Sequence, residues 1–170
     1  QKITIRNATK QDAETLCGWW NDGAVMTHAG FPKGLNTTVE QIQAIIAKNN
    51  DETNMLHMIE YDEKPIGEAN YHNLQNGSAE IGIKICDFSM QNKGLGTIIL
   101  SLFIRYLYEA LGYQKIVLDT NSKNQRAQRT YERLGFKQVR VHQNAWLDQL
   151  GVAQTAVDYE LTQKDFIDHA

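Results

Sequence analysis

The chain has 170 residues, of which 42% are apolar and 22% charged, and its formal net charge is -3. That length suits one compact domain able to bury roughly two-thirds of the surface its unfolded chain exposes. The mild acidity excludes the strongly basic footprint of a nucleic-acid binder, and no apolar run approaches the ~20 residues that cross a bilayer. In chain order, Ile3-Thr4-Ile5-Arg6 alternates as a short strand. Thr9 can cap a helix with Asp12 in its first turn and Ala13, Leu16, Cys17 and Trp20 down one face, fading at Asn21-Asp22-Gly23. Thr37 or Thr38 caps a second helix, with Val39, Ile42, Ile45 and Ile46 at helical spacing.

A β-meander is expected next. Met55 to Tyr61 and Ile66 to His72 read as strands around a turn at Asp62-Glu63-Lys64-Pro65, and Asn76-Gly77 is a tight-turn signal. Ala79, Ile81, Ile83 and Ile85 then alternate strictly, the period of a half-buried strand. Beyond a glycine loop, Leu95, Ile98, Ile99, Leu102, Phe103, Tyr106, Leu107 and Leu111 mark a helix that Gly112 ends. Ile116-Val117-Leu118 is a short strand, expected parallel to the one before the loop because a helix joins them. A helix from about Asn124 to Leu134 stops at Gly135, and Phe136 to His142 and Asp158 to Leu161 supply closing strands. The reading is a single α/β domain over residues 1–170 with a mixed sheet, antiparallel in front and parallel behind.

Cys17 and Cys86 lie far apart and near no His or Cys at ligand spacing, so they read as small buried thiols in a reducing compartment. No metal-ligand cluster is visible, and none is expected. No signal-peptide pattern opens the chain, which starts at Gln1 without Met, and a cytoplasmic location is the expectation.

The chemistry concentrates at Gln91-Asn92-Lys93-Gly94-Leu95-Gly96-Thr97, where a strand runs into a helix. The first amides of a helix have no internal partner and sit at the positive end of its dipole, so they favour an anion. Glycines let the backbone come close to a diphosphate, and Lys93 and the Thr97 hydroxyl add donors. A Gly-x-Gly loop alone reads equally well as a tight turn. A Walker loop is excluded by spacing, and a dinucleotide fingerprint by Ile99, which stands where its third glycine belongs.

Gln91-x-x-Gly94-x-Gly96 resembles the pyrophosphate loop of the GNAT acyltransferases. Asn124-x-x-Ala127-x-x-x-Tyr131-Glu132-x-Leu134-Gly135-Phe136 is similar to that family's second signature, at the family's usual distance. The resemblance covers nearly the whole chain. It implies a GNAT fold with a mixed central sheet splayed at the acyl-CoA site and flanked by helices. It further implies acetyl-CoA as co-substrate and direct transfer of an acetyl group to a primary amine. Trp20-Asn21-Asp22 and the length look most like the RimJ/RimL-like branch, which acts on protein N-termini, polyamines and other small amines. No nucleic-acid or membrane partner is implied, and a homodimer is left open.

By this resemblance the amides of Gln91 through Thr97 bind the CoA pyrophosphate, and backbone groups of Ile83 and Ile85 pair with the pantetheine arm. Asn124 holds that arm from the other side, a role compatible with capping its helix. Tyr131 matches the tyrosine that protonates the departing thiolate; from pattern alone it would be a buried aromatic beside Ala127 and Leu134. For the base that deprotonates the substrate ammonium, Glu80 and Asp119 are the candidates, with a relayed water as a third option. Glu68 and His72 lie on the adjacent strand. Each acid could instead be a cross-strand pair or a solvated charge. Trp19, Trp20, His28 and Phe31 are candidate liners of the acceptor side, Gln143-Asn144 and Trp146 of the opposite wall, and Arg126 and Arg129 of the CoA phosphates. A non-catalytic acyl-CoA-binding regulatory module of the same fold is the alternative.

Overall fold

The structure is a computed structural model that describes residues 2–170; Gln1, where the expected domain begins, lies outside them. The described residues form seven strands, β1 (Ile3–Asn7), β2 (Asn54–Tyr61), β3 (Lys64–Gln75), β4 (Ser78–Ile85), β5 (Lys115–Asn121), β6 (Lys137–Leu147) and β7 (Ala153–Thr162). Five α-helices join them: α1 (Ala13–Trp20), α2 (Gly23–Met26), α3 (Val39–Ile46), α4 (Leu95–Glu109) and α5 (Gln125–Arg133). None of these helices is long and apolar enough to cross a membrane.

One open sheet carries the order β1-β2-β3-β4-β5-β7-β6. The first four strands form the expected antiparallel meander. Its turns hold residues with positive φ, Asp62 and Glu63 at one and Gln75, Asn76 and Gly77 at the next, as tight hairpin turns require. The parallel character is narrower than expected. Only β4 and β5 are parallel, joined through α4, whereas β5–β7 and β6–β7 are antiparallel.

The sheet separates two apolar clusters. On one face Ala69, Tyr71, Ala79, Ile81, Ile116 and Leu118 meet Phe103, Leu107 and Leu134 of the α4–α5 layer. On the other, Leu56 and Met58 of β2 are covered by Leu16 of α1 and Ile42 of α3. Local signals set the helix limits. Thr38 Oγ1 accepts from the Gln41 amide at 3.2 Å while the Thr38 amide donates to Gln41 Oε1 at 3.1 Å, a reciprocal cap. Gly112 (φ 74°) follows α4, and Gly135 (φ 99°) follows α5. A Cβ at Gly135 would sit 2.0 Å from the Asp165 carbonyl oxygen.

Two segments differ from expectation. Asp22 Oδ1 accepts from the Ala24 amide at 2.9 Å and starts the one-turn helix α2 where the pattern suggested only an ending. The closing strands are also longer. β6 continues to Leu147 past a register shift between His142 and Trp146, with Asn144 at φ 50°, so Gln143, Asn144 and Trp146 stand on a strand rather than in a loop. An irregularity of this kind bends a strand without ending it, and the sequence pattern breaks there although the ladder resumes.

Candidate active site

The site begins where a ladder stops. β4 and β5 pair only through Ser78–Lys115, Ala79–Ile116 and Glu80–Val117, yet β4 runs on to Ile85 and β5 to Asn121. The two strands diverge, and backbone beyond the last rung faces an opening rather than a neighbour. A cleft of about 510 Å³ occupies it, lined along β4 by residues 81–85 and along β5 by residues 118–121. Ile83 and Ile85 thus stand at the opening. The Ile85 carbonyl is already taken, however, because Gln91 Nε2 donates to it at 2.9 Å. That bond ties the glycine loop to the end of β4.

The loop opens a second hollow of about 280 Å³ around Gln91, Asn92, Gly94, Leu95, Gly96 and Thr97, which shares Gln91, Gly96 and Arg126 with the cleft. Asn92 (φ 60°) and Gly94 (φ 74°) turn the chain so that α4 starts with its free amides towards this hollow. A Cβ at Gly94 or Gly96 would meet nothing within 4 Å, so the missing side chains leave room beside the amides. No acid stands in the first turn of α4. Arg126, Arg129 and Arg133 of α5 complete the lining. Fifteen residues of aligned helix and three guanidinium groups suit a polyphosphate. Lys93 is exposed in the same loop and is not among the residues lining either hollow. Arg133 escaped the sequence reading, although its spacing from Arg126 and Arg129 puts all three on one helical face.

Asn124 lies across the cleft from β4. Its Oδ1 accepts from the Ala127 amide at 3.2 Å and caps α5, while its Nδ2 has no protein acceptor among the described residues. Tyr131 is buried, with its ring 5.7 Å from both Phe136 and Tyr159. Tyr131 lines the cleft, and its hydroxyl makes no hydrogen bond among the described residues. Burial, and then the nearby charge of Asp119, push this phenol well above its ordinary value, so it stays protonated at neutral pH.

The two candidate bases separate. Glu80 is exposed, opposite His72 on β3 and Val117 on β5, and does not line the cleft. Asp119 does line it, and its carboxyl is raised above the usual range, first by loss of water around it and then by Asp158 on β7. Glu68 is buried in a structural role, accepting a hydrogen bond from Trp20 Nε1 with Lys84 Nζ 3.9 Å away. Trp20, with Trp19, packs on the α1–α3 cluster.

The acceptor side is roofed by α2 and the β6–β7 hairpin. His28 and Trp146 line the cleft, whereas Trp19, Trp20 and Phe31 do not. Burial, then Arg126 and Lys123, lower the His28 imidazole from its usual value and favour its neutral form. Trp146 seats against Gly30, where a Cβ would fall 2.4 Å from the indole ring. Gln149 fastens the hairpin tip to the same loop: its amide donates to Gly30 O at 2.8 Å, its Oε1 accepts from the Lys33 amide at 2.7 Å, and its Nε2 donates to Gly34 O at 3.0 Å. Among the described residues no group of three or more His, Cys, Asp or Glu side chains is placed to hold a metal ion.

Comparison with known proteins meets this geometry. The chain is 26% identical over 153 residues to an uncharacterised protein of Methanocaldococcus jannaschii, a match spanning 89% of this chain but 31% of that protein's length. The fold is similar to that of a spermidine N-acetyltransferase from Vibrio cholerae in complex with CoA and spermine (TM-score 0.85, 20% identity, 96% of each chain). It is also similar to RimL, a ribosomal L7/L12 alpha-N-protein acetyltransferase in complex with CoA (TM-score 0.84, 16% identity, 95% of this chain and 94% of that one). The model of the acetyltransferase (GNAT) domain matches residues 2–137, four-fifths of the chain, and the protein therefore belongs to the GNAT acetyltransferase family.

Proposed function

We propose that this domain transfers the acetyl group of acetyl-CoA directly to a primary amine. The observation that carries the reading is the interrupted β4–β5 ladder, with an amide-rich glycine loop at one end of its opening and a protonated, unpartnered Tyr131 hydroxyl within it. The amides of residues 91–97 and the guanidinium groups of Arg126, Arg129 and Arg133 hold the phosphates. Backbone groups of β4 around Ile83 and Ile85 other than the occupied Ile85 carbonyl, and Asn124 Nδ2, hold the pantetheine arm.

On the acceptor side Asp119 takes a proton from the incoming ammonium. The freed nitrogen lone pair attacks the thioester carbonyl, the C–N bond forms, the C–S bond breaks, and the nitrogen releases its second proton to solvent. Tyr131 gives its proton to the departing thiolate and recovers one from solvent, so that ammonium and acetyl-CoA yield amide, CoA thiol and one proton. A raised carboxyl is the better base, because its proton affinity lies closer to neutral pH. Glu80 belongs to the same sheet face but stands on the last rung of the ladder, outside the cleft.

The acceptor is a cationic primary amine, either a protein N-terminus or a polyamine-like small molecule, as in the RimJ/RimL-like branch. The two neighbours named for spermidine and for a ribosomal protein N-terminus support that class, and the protein acts in the cytoplasm.

The deciding experiment is thermal melting with and without acetyl-CoA, beside a Gly94→Trp variant. Ligand at about 100 times its dissociation constant adds roughly 2.7 kcal/mol, a rise of roughly 5–10 °C for a chain of this size. The indole would fill the open space beside Gly94 and abolish the rise. No rise at saturating acetyl-CoA refutes the reading. A rise without thiol release from any amine replaces it with a non-catalytic acyl-CoA-binding regulatory module.

A further inference from the structure

The sheet face that carries the proposed base also carries a second acid with no role so far. Asp119 on β5 and Asp158 on β7 are directly opposite in the antiparallel ladder, where two like charges repel. His142 on β6 pairs with Ala156, two residues from Asp158 on the same face, and brings Nε2 to 2.8 Å from Asp158 Oδ2. That contact fixes the Asp158 carboxylate. Loss of water around it pushes the Asp119 carboxyl up most and Asp158 pushes it further, while its own backbone amide and then His142 draw it back.

The other charged and titratable groups on this face follow from the registers. Glu80 and Lys84 lie on β4, Glu160 on β7 and Arg140 on β6, with Tyr131 and Arg126 of α5 and His28, just after α2, across the cleft. Lys84 is engaged with Glu68, and Glu160 lies 3.4 Å from Lys115 Nζ. Asp158 is therefore the carboxylate set directly against Asp119, and its only hydrogen-bonded side-chain partner among the described residues is His142.

We propose that Asp158, held by His142, is a positioning residue for the acceptor half of the reaction: the fixed second carboxylate favours the form of Asp119 that has accepted the ammonium proton. This rests on the reading of Asp119 as the base. Transfer of the N–H proton to an Asp119 oxygen leaves the nitrogen lone pair free and ends the repulsion between the two carboxylates. The imidazole, when protonated, opposes that uptake and thereby bounds it.

The test separates the pair from the base. Carboxyl-carbon NMR titration of Asp119 is carried out in the wild type, Asp158→Asn and His142→Gln. Removing the Asp158 charge lowers the Asp119 midpoint by on the order of one pH unit, the coupling expected of charges on facing residues half exposed to water. His142→Gln moves the midpoint the opposite way. A midpoint that stays put in Asp158→Asn, or moves in the same sense in both variants as a general loosening would make it do, overturns the proposal. In Asp158→Asn the acidic limb of the kcat/KM profile follows the carboxyl to lower pH. A limb that stays while the carboxyl moves, together with an active Asp119→Asn variant, refutes Asp119 as the base and leaves the coupling of the pair intact.

Discussion

Tyr131→Phe isolates the proposed acid more cleanly than any other substitution. The ring is fixed between Phe136 and Tyr159 and buried to 7% exposure, so phenylalanine keeps the packing. The hydroxyl has no hydrogen-bond partner among the described residues, so its removal leaves no protein donor or acceptor unpaired. Stability should therefore change by no more than about 0.5 kcal/mol, or roughly 1–2 °C in Tm. A general acid contributes about 10²–10⁴-fold to rate, equivalent to roughly 2.7–5.4 kcal/mol of barrier. Because the phenol stays protonated at neutral pH, the loss should appear in kcat there and vary little between about pH 6 and 8. Thiol release under saturating acetyl-CoA and amine measures it, beside melting of the same preparation. A kcat within threefold of wild type would refute the role. A drop of several degrees in Tm would show instead that the hydroxyl supports the fold.

Two further predictions concern stability. Gly135→Ala places a Cβ 2.0 Å from the Asp165 carbonyl oxygen at φ 99° and should cost about 2–4 kcal/mol. Gly94→Ala, strained in φ but surrounded by open space, should cost about 1–2 kcal/mol; urea midpoints that rank them the other way would reject this account. Asp12 receives both Arg6 guanidinium nitrogens at 2.8 Å and the Thr9 amide at 2.7 Å. The Arg6 bond, more than any other cause, holds its carboxyl below the usual value against the cost of burial. A depressed folded-state value adds stability that is present above the unfolded value near 3.9 and disappears as pH falls through the folded one. Asp12→Asn should therefore be less stable by about 1–3 kcal/mol at pH 7, with a gap that narrows below about pH 4. Urea unfolding at both pH values checks this, and a gap independent of pH rejects it.

The geometry of the glycine loop was legible in the chain because its determinants are local. One stretch from Ile83 to Thr97 contains the strand end, the glycine turn and the helix start. The turn that exposes the first amides of α4 depends on how those adjacent residues bend. Asn124 and Tyr131 could be read for the same reason, since they share one helix at fixed spacing. Even there a single tertiary contact escaped: Gln91 Nε2 occupies the Ile85 carbonyl, and no pattern in the sequence marks that bond.

The acceptor half was only partly legible because it is assembled across the sheet. Asp119 and Asp158 are thirty-nine positions apart in sequence, and they become neighbours only because β7 inserts between β5 and β6. That insertion cannot be inferred from periodicity, which reports which side of a strand is buried but not what stands beside it. Glu80 on β4 and Asp119 on β5 were both candidate bases in the sequence, and no pattern there shows that the ladder stops at Glu80–Val117 and that only Asp119 lines the cleft. The gap created by that stop is what opens the cleft: it leaves β4 backbone unpaired on one side and the β5–β7 face, with its opposed carboxylates, on the other. On the proposed reading the site depends less on any one side chain than on a parallel pair that separates after three rungs, and a change that lengthened this ladder would close the cleft without touching any of the proposed catalytic residues.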